Sequence, residues 1–485
     1  MTFSSAHILR SSPLGLACRK LTLACLGLAF ACLSQPASAQ LLDRLPVEST
    51  LDGVTRELDD RVRQVQDSVQ KDLLDESLVR DALAQPLATA VAKVPALVPE
   101  LLDALLPIVD RRGATVLVDV QVEDGWRAVQ REWLLLGDQQ LLAELVKLDA
   151  EIIEQAALDG LGLQLVRFRV PAALDSRAAL RQRLPASLHP QLDRNHIYAP
   201  QIYAPQSAAP QSSQAASSPP QPAVAQAQSE APACMDHLAI GMIDTAINDQ
   251  HPAFAAANIE QRDFIGADIE SPKAHGTAVA GLLVGNTAGG KGDQLQALLP
   301  GATLYAASVF YPRNDYTQGA TLMNLVSALN WLAEQQVPVI NMSLTGPDNS
   351  VLGQVIARVI ASGSLVVAAV GNQGPAAAPL YPAAYEGVVA VTAVDKDQRP
   401  YRWANRGEHI DFAALGVSVI TARSAGGMGR ESGTSMAAPL VSALLACERV
   451  RGPGAEAVTR LVKRAQDLGA PGRDPVFGHG LLQRP

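Results

Sequence analysis

The sequence predicts an α/β protein whose last domain, residues 233–485, is built on a doubly wound, mostly parallel sheet. Near-continuous apolar runs recur through this domain, as is typical of parallel strands buried on both faces. Helical stretches such as LMNLVSALNWLAEQQ lie between several runs, and this alternation favours helices on both faces of the sheet. Ligands of such sheets bind at the carboxyl ends of the strands. The runs are HLAIGMID, ATLYAASVF, VPVINMSL, LVVAAVG and GVVAVTAV.

Length and charge narrow the possible functions. The 485 residues leave room for two or three domains, and 48% hydrophobic residues can bury a core of ordinary size. The net charge of −9 argues against a nucleic-acid partner and offers no basic surface to acidic lipid. No His and Cys residues have the spacing of metal ligands, so neither a metal nor another cofactor is predicted.

Residues 1–39 have the pattern of a cleaved export signal. Three basic residues precede the apolar run Leu21–Leu33, and an Ala-x-Ala site ends at Ala39. The alternative is a membrane anchor, but the run is too short to span a bilayer. We therefore expect a secreted or periplasmic protein with no membrane span after signal cleavage.

Three segments of different pattern follow the signal. Residues 40–112 are helical in pattern and predict a helical N-terminal extension. Residues 113–200 alternate strands with two helices, DQQLLAELVKLDAEIIEQAA and DSRAALRQRL, and predict a small α+β domain. Residues 201–232 consist mainly of Pro, Gln, Ala and Ser, and predict a disordered linker.

Four polar residues lie where predicted strands end or helices begin. Asp244 ends HLAIGMID, and Asn372 follows LVVAAVG. His275 opens the helix AHGTAVAGLLVG, and Ser435 lies in GTSMAAP, where the small residues around it leave the space that a nucleophile needs. Taken singly, each residue has an ordinary structural explanation as a cap, a turn residue or a structural histidine.

Together the four residues supply the parts of nucleophilic catalysis. Ser435 needs a base, and His275 has a suitable ordinary pKa for that role. Asp244 would hold the other imidazole nitrogen. The Asn372 side chain and the Ser435 N–H would stabilise an oxyanion.

The motifs DT, HGT and GTSMAAP occur in the order Asp, His, Ser, and they resemble those of the subtilisin family of serine proteases, the subtilases. The resemblance covers about residues 238–482. It implies a subtilisin-like fold and an endopeptidase that acts on proteins or peptides through an acyl-enzyme. Within INMSLTG, which is similar to the family's substrate-binding strand, Ser343, Leu344 and Thr345 would pair with the substrate backbone. Leu380 would lie near the pocket floor and favour Ala, Val or Leu before the scissile bond.

Two positions depart from the family pattern. Ala246 stands where glycine is usual after Asp-Thr, and Ala278 stands where a second histidine is common. Neither replaces one of the three catalytic residues. The segment NTAGGKGDQLQALLPG has one acid and lacks the family's Asn-x-Ile-Gly-Val stretch, so no calcium site is predicted there.

The position of residues 113–200 corresponds to that of the family's propeptide, which assists folding and inhibits the enzyme. The resemblance therefore implies an autoprocessed zymogen inhibited by its own propeptide and cut within about residues 197–232. One alternative is a catalytically silent subtilisin-like module for binding or chaperoning. An adaptor role for residues 41–110 is a third possibility, and it is compatible with catalysis.

Signal cleavage would leave two cysteines, Cys234 and Cys447. Cys234 precedes the strand that carries Asp244, and Cys447 lies three turns into the helix that begins at Ser435. If strand and helix run side by side, both cysteines lie on the side away from the active site, where we expect a disulfide. The alternative is that Cys447 is a small buried apolar residue and Cys234 is unpaired.

Overall fold

The computed structural model describes residues 105–137, 142–200, 238–266, 268–287, 294–314 and 317–484, all within one unit of the chain, Val98–Pro485. The predicted signal, most of the predicted helical extension, the predicted linker and Cys234 lie outside the described residues.

An antiparallel sheet forms the N-terminal part of the described chain. Its strands pair in the order β4-β5-β3-β6, and β2 and β1 extend the sheet from the first half of β3. Helices α1 and α2 cover one face, where Leu145 and Leu180 pack with Trp133, Leu135 and Phe168. The elements are β1 (Leu105–Val109), β2 (Thr115–Gln121), β3 (Arg127–Leu136), α1 (Leu142–Val146), β4 (Glu151–Leu158), β5 (Leu163–Arg169), α2 (Arg177–Arg183) and β6 (Leu192–Pro200).

The end of the predicted helical extension, residues 40–112, is not helical. Residues 105–109 form the edge strand β1, which pairs antiparallel with β2. Pro107 lacks the N–H that a helix needs, and proline is tolerated on a sheet edge. Ile108 is buried against the rest of the molecule, which favours the strand further.

The prediction of a helix over residues 138–157 is wrong for its second half. Only residues 142–146 are helical among those described there, and residues 151–158 form β4. The helix ends at Val146, and the turn that follows reaches a left-handed φ of 52° at Asp149. Backbone pairing with β5 then decides the conformation of a segment whose apolar pattern suits either structure.

The C-terminal part of the chain contains a parallel sheet of eight strands in the order β19-β16-β15-β14-β12-β7-β9-β8. Five further strands of this part of the chain, β10, β11, β13, β17 and β18, lie outside the parallel sheet. All its strands, in chain order, are β7 (Ala239–Asp244), β8 (Asn258–Asp263), β9 (Thr303–Ser308), β10 (Tyr311–Pro312), β11 (Gln318–Thr321), β12 (Val339–Met342), β13 (Leu344–Thr345), β14 (Leu365–Ala369), β15 (Val389–Val394), β16 (Phe412–Leu415), β17 (Val419–Ala422), β18 (Met428–Glu431) and β19 (Leu481–Leu482). The helices are α3 (Ala274–Val284), α4 (Leu322–Glu334), α5 (Ser350–Ala361), α6 (Thr434–Arg449) and α7 (Gly454–Arg464).

Helices cover both faces of this sheet, so the doubly wound arrangement predicted from the sequence is confirmed. Val367 and Ala369 of β14 pack into a core with α3, α6 and α7. Their neighbours Val366 and Ala368 pack into a second core with α4 and α5. The period-two alternation explains why the central strands are apolar at nearly every position.

Strand β6 links the N-terminal sheet to two short strands of the C-terminal part of the chain. Besides β3, it pairs antiparallel with β11 and with β13, setting Tyr198 opposite Ala320 and Pro200 opposite Leu344. The N-terminal strands and the hairpin β10–β11 therefore form one continuous sheet.

An ionic contact adds to this junction. Asp119 of β2 is fully buried and pairs with Arg127 of β3 and, at 2.5 Å, with Arg313 beside β10. A second ion pair, Arg112 with Asp268 at 3.2 Å, is exposed.

No helix within the described ranges is both long enough and apolar enough to cross a membrane.

Candidate active site

Asp244 and His275 meet at the carboxyl edge of the parallel sheet. Asp244 is the last residue of β7 and is fully buried, and His275 is the second residue of α3. Asp244 Oδ1 lies 2.7 Å from His275 Nδ1 and also accepts the Thr245 backbone N–H at 2.7 Å. The carboxylate therefore fixes the orientation of the imidazole ring. His275 Nε2 is buried and has no hydrogen-bond partner within the described part of the chain, so this nitrogen can exchange a proton with a nearby hydroxyl.

Gly276 allows α3 to approach the end of β7 this closely. A Cβ at this position would lie 2.2 Å from the Thr245 carbonyl oxygen, which no side chain tolerates. The Gly276 N–H donates to Thr245 Oγ1 at 2.7 Å and ties the two elements together. The close packing of α3 against the end of β7 thus explains why glycine follows the histidine.

Ser435 is the second residue of α6, is fully buried, and lies on the same sheet edge. Helix α6 packs against α3, the helix that carries His275 in its first turn, and against the strands β14 and β15. Gly433 precedes the helix with a φ of 156°. The fold therefore sets both helix starts, with the predicted serine and histidine, on the carboxyl edge of the parallel sheet.

Asn372 lies in the turn after β14, and its amide orientation is set by Thr434. Asn372 Oδ1 accepts the backbone N–H of Thr434 at 3.0 Å and its hydroxyl at 3.1 Å. These bonds direct the amide's NH₂ side away from Thr434, as an oxyanion donor beside Ser435 requires. Asn405, fully buried, holds the same turn by accepting the Gln373 N–H at 2.9 Å. Sequence reasoning missed the roles of Thr434 and Asn405, because a short polar side chain at a helix start or in a loop carries no periodic signal.

The three residues predicted to bind the substrate backbone are buried, and this chain's own β6 lies beside them. Leu344 and Thr345 form β13, which pairs with Pro200 and Ala199, and Ser343 precedes them directly. Leu380 is 2% exposed, and its Cδ1 would be 2.8 Å from a Cβ at Gly371, next to Asn372. Leu380 thus lies beside the turn that carries Asn372, and Ser343 lies beside Ser435, whose carbonyl oxygen is 3.2 Å from the Ser343 hydroxyl.

Tyr198 of β6 fills a pocket beside β13. Its ring lies against Gly346, where a Cβ would be 2.2 Å from Tyr198 Cδ1. Its hydroxyl donates to the Pro347 carbonyl at 3.1 Å. Burial raises the pKa of Tyr198 well above its usual value, so the hydroxyl stays protonated and donates.

A family model described as the Subtilase family matches residues 236–480. The chain belongs to the subtilase family. It is 30% identical over 251 residues to the minor extracellular protease Epr of Bacillus subtilis (strain 168), covering 51% of this chain and 38% of Epr. It is 30% identical over 258 residues to subtilisin E of the same organism, covering 51% of this chain and 64% of that protein. With subtilisin DY of Bacillus licheniformis the identity is 32% over 262 residues, covering 51% and 89%. The chain thus spans less than two thirds of the length of Epr and of subtilisin E.

The two departures from the subtilase pattern fit their surroundings. Ala246 is buried, and its φ is not positive, so the usual glycine is not required at this position. Ala278 is also buried, and its carbonyl accepts the Thr421 hydroxyl at 2.5 Å. Neither residue disturbs the contact between Asp244 and His275.

The sequence predicts no metal site and one disulfide, between Cys234 and Cys447. Within the described ranges, no three or more His, Cys, Asp or Glu residues are grouped so as to hold a metal ion. Cys447 is partly buried near the end of α6 and packs against the core. The other cysteine of the predicted disulfide, Cys234, lies outside the described residues, so the bridge stays a prediction.

Proposed function

We propose that this chain is an exported serine endopeptidase made as an autoprocessed zymogen. Ser435 Oγ attacks the scissile carbonyl while His275 Nε2 takes its proton and later gives it to the leaving amine. Asp244 holds Nδ1 of the same ring and stabilises the imidazolium. The Asn372 amide and the Ser435 N–H, at the start of α6, stabilise the oxyanion. Water then hydrolyses the acyl-enzyme.

The observation that carries the proposal is the 2.7 Å contact between Asp244 Oδ1 and His275 Nδ1. It leaves Nε2 of a buried, oriented imidazole without a partner in the described part of the chain. The start of α6 supplies a hydroxyl on the same sheet edge.

The inhibitory part of the proposal rests on β6. It adds a strand to β13, the segment on which the substrate backbone is expected to pair, so the enzyme's own chain occupies that edge. Two side chains of β6 also accept from backbone donors at the starts of α5 and α4. Asp193 Oδ2 accepts from Ser350 N of α5 at 2.8 Å, and Asn195 Oδ1 accepts from Met323 N of α4 at 3.1 Å.

The direction of β6 narrows the expected maturation site. Because β6 is antiparallel to β13 and Pro200 lies opposite Leu344, β6 ends beside Ser343, whose Oγ lies 3.2 Å from Ser435 O. We therefore expect the cut within a few residues after Pro200, in the first part of the predicted linker. N-terminal sequencing of active protein tests this, and an active species that retains the residues of β6 at its N-terminus would contradict it.

A fluorophosphonate probe tests catalysis directly. The wild-type protein should be labelled on Ser435, and Ser435→Ala should lose both labelling and peptide hydrolysis while keeping its unfolding temperature. Asn372→Ala should lower kcat by roughly 10²–10³, the magnitude known for the oxyanion donor of a subtilisin. An unlabelled but folded wild-type protein would instead favour the silent binding module.

A further inference from the structure

The carbonyl oxygen of Ser435 lacks its ordinary helical donor. In an α-helix this oxygen would accept the N–H of the residue four positions later. That residue is Pro439, which lies inside α6 and has no N–H. Ser343 Oγ lies 3.2 Å from the Ser435 oxygen and donates to it. A side-chain hydroxyl from the neighbouring segment thus replaces the missing backbone donor.

Two further buried side chains orient that hydroxyl. Asn341 Nδ2 donates to Ser343 Oγ at 3.0 Å, and Ser442 Oγ donates to Asn341 Oδ1 at 2.9 Å. All three residues are 0% exposed. The bonds run in one direction from Ser442 to Ser435, so each of the two serine hydroxyls donates its proton to the next residue in the series. Hydrogen bonds linked in this way strengthen one another.

These hydrogen bonds join β12 and the residue that follows it to α6, the helix that carries Ser435. Asn341 belongs to β12, and Ser343 follows that strand directly. Ser435 and Ser442 are seven residues apart on α6, which places them on one face two turns apart. A buried amide in an otherwise apolar core is tolerated only when its hydrogen bonds are made, as they are here.

We infer that Ser343, Asn341 and Ser442 are positioning residues that hold the first turn of α6 against the substrate-binding strand. The inference rests on the proposed function, because it assigns to these side chains an effect on turnover. Movement of the Ser435 backbone shifts both the nucleophilic oxygen and the N–H that faces the oxyanion. The backbone of β13, on which a substrate would pair, is not altered by loss of the Ser343 hydroxyl.

Kinetics of the self-processed full-length protein test this role, with kcat expressed per serine titrated by the fluorophosphonate probe. Ser343→Ala should lower kcat about fivefold to tenfold, the effect of one hydrogen bond, and leave KM nearly unchanged. Ser442→Ala should lower kcat less, about twofold to fivefold, because it acts through Asn341. The matched control is Ser364→Ala. Ser364 is also buried and donates to Val337 O at 2.7 Å, at the opposite end of the strands, so kcat should not change.

A rescue variant separates positioning from loss of packing. Adding Pro439→Ala to Ser343→Ala returns a backbone N–H to position 439, which can donate to Ser435 O within the helix. The double variant should recover most of the lost kcat. A rise in KM at constant kcat in Ser343→Ala, or no recovery in the double variant, would overturn the inference.

Amide hydrogen exchange over residues 432–438 gives a readout that needs no catalysis. Exchange there should be faster in Ser343→Ala than in the wild type and slower again in the double variant. If the wild-type protein does not react with the probe, the proposed function fails, and the exchange measurement alone decides whether these residues hold the helix start. Unchanged exchange in Ser343→Ala would contradict the positioning role in either case.

Discussion

Removing the Tyr198 side chain should release the N-terminal domain from the groove. The ring is 0% exposed, lies against Gly346, and donates its hydroxyl to Pro347 O at 3.1 Å. Truncating a fully buried aromatic residue to alanine costs about 3–5 kcal/mol. If that cost falls on the interface, the cleaved N-terminal segment should bind roughly 10²- to 10³-fold more weakly. Tyr198→Phe removes only the hydrogen bond, worth about 1 kcal/mol, and should weaken binding about fivefold.

Serial dilution measures this dissociation without isolating either part. The full-length protein is allowed to process itself and is then diluted into a fluorogenic peptide assay. The concentration at which half the activity appears gives the dissociation constant of the cleaved segment. The two Tyr198 variants should order as stated, and Lys147→Ala, which alters an exposed pair with Glu144, should match the wild type. A Tyr198→Ala value within about threefold of the wild type, when a fully buried ring predicts far more, would refute the reasoning.

Three further predictions concern the ionic contacts and the cysteines. In a Ser435→Ala background, Asp119→Ala should lower the free energy of unfolding in urea by about 3–5 kcal/mol, because it removes the buried carboxylate that lies between the half-buried Arg127 and Arg313. Arg112→Ala, in a pair whose side chains are 81% and 45% exposed, should cost no more than about 1 kcal/mol. His196, whose Nε2 lies 3.5 Å from Asp124 Oδ2, lowers the pKa of Asp124 to about 2. That carboxylate stabilises the fold above its ordinary pKa and loses the effect as pH falls towards 2, so Asp124→Asn should flatten the fall in Tm over that window. Mass spectrometry of the non-reduced mature protein should find no alkylatable thiol at Cys447, and a reactive thiol there would exclude the predicted bridge.

The parallel sheet could be predicted from the sequence because burial on both faces imposes a strong pattern. Strand β14 is apolar at every position, and β15 is apolar at all but Thr392, a pattern that few other structures require. The errors fall where leucine-rich segments suit either period. Residues 151–158 carry apolar residues that fit a helix, and only pairing with β5 makes them a strand. That information lies in another segment of the chain, so a local pattern cannot supply it.

The polar partners of the site were beyond sequence reasoning for a related reason. Asp244 and His275 are recognisable from their motifs, whereas nothing local indicates that Thr434, although inside GTSMAAP, bonds to Asn372, or that Asn405 holds the same turn. Their roles follow from bonds between segments far apart in sequence, such as the bond from Thr434 to Asn372. Asn341 did leave a signal, as an amide inside the apolar run VPVINMSL. A buried amide in a parallel strand needs a partner, and this could have marked it for attention.

The small residues around Ser435 show why one segment can satisfy both structural and functional demands. Space for a substrate is one reason to keep this neighbourhood bare, but packing supplies another. Gly433 donates its N–H to Gly416 O at 2.9 Å, and a Cβ at Gly416 would lie 2.7 Å from Gly433 O and 3.0 Å from Ala437 Cβ. Ala437 and Ala438 are fully buried in the core beneath the sheet edge. Larger side chains would push α6 away from the strands and move Ser435 away from His275. The small residues therefore cannot by themselves argue for a nucleophile, and the case for Ser435 rests on the imidazole that Asp244 orients at the same sheet edge.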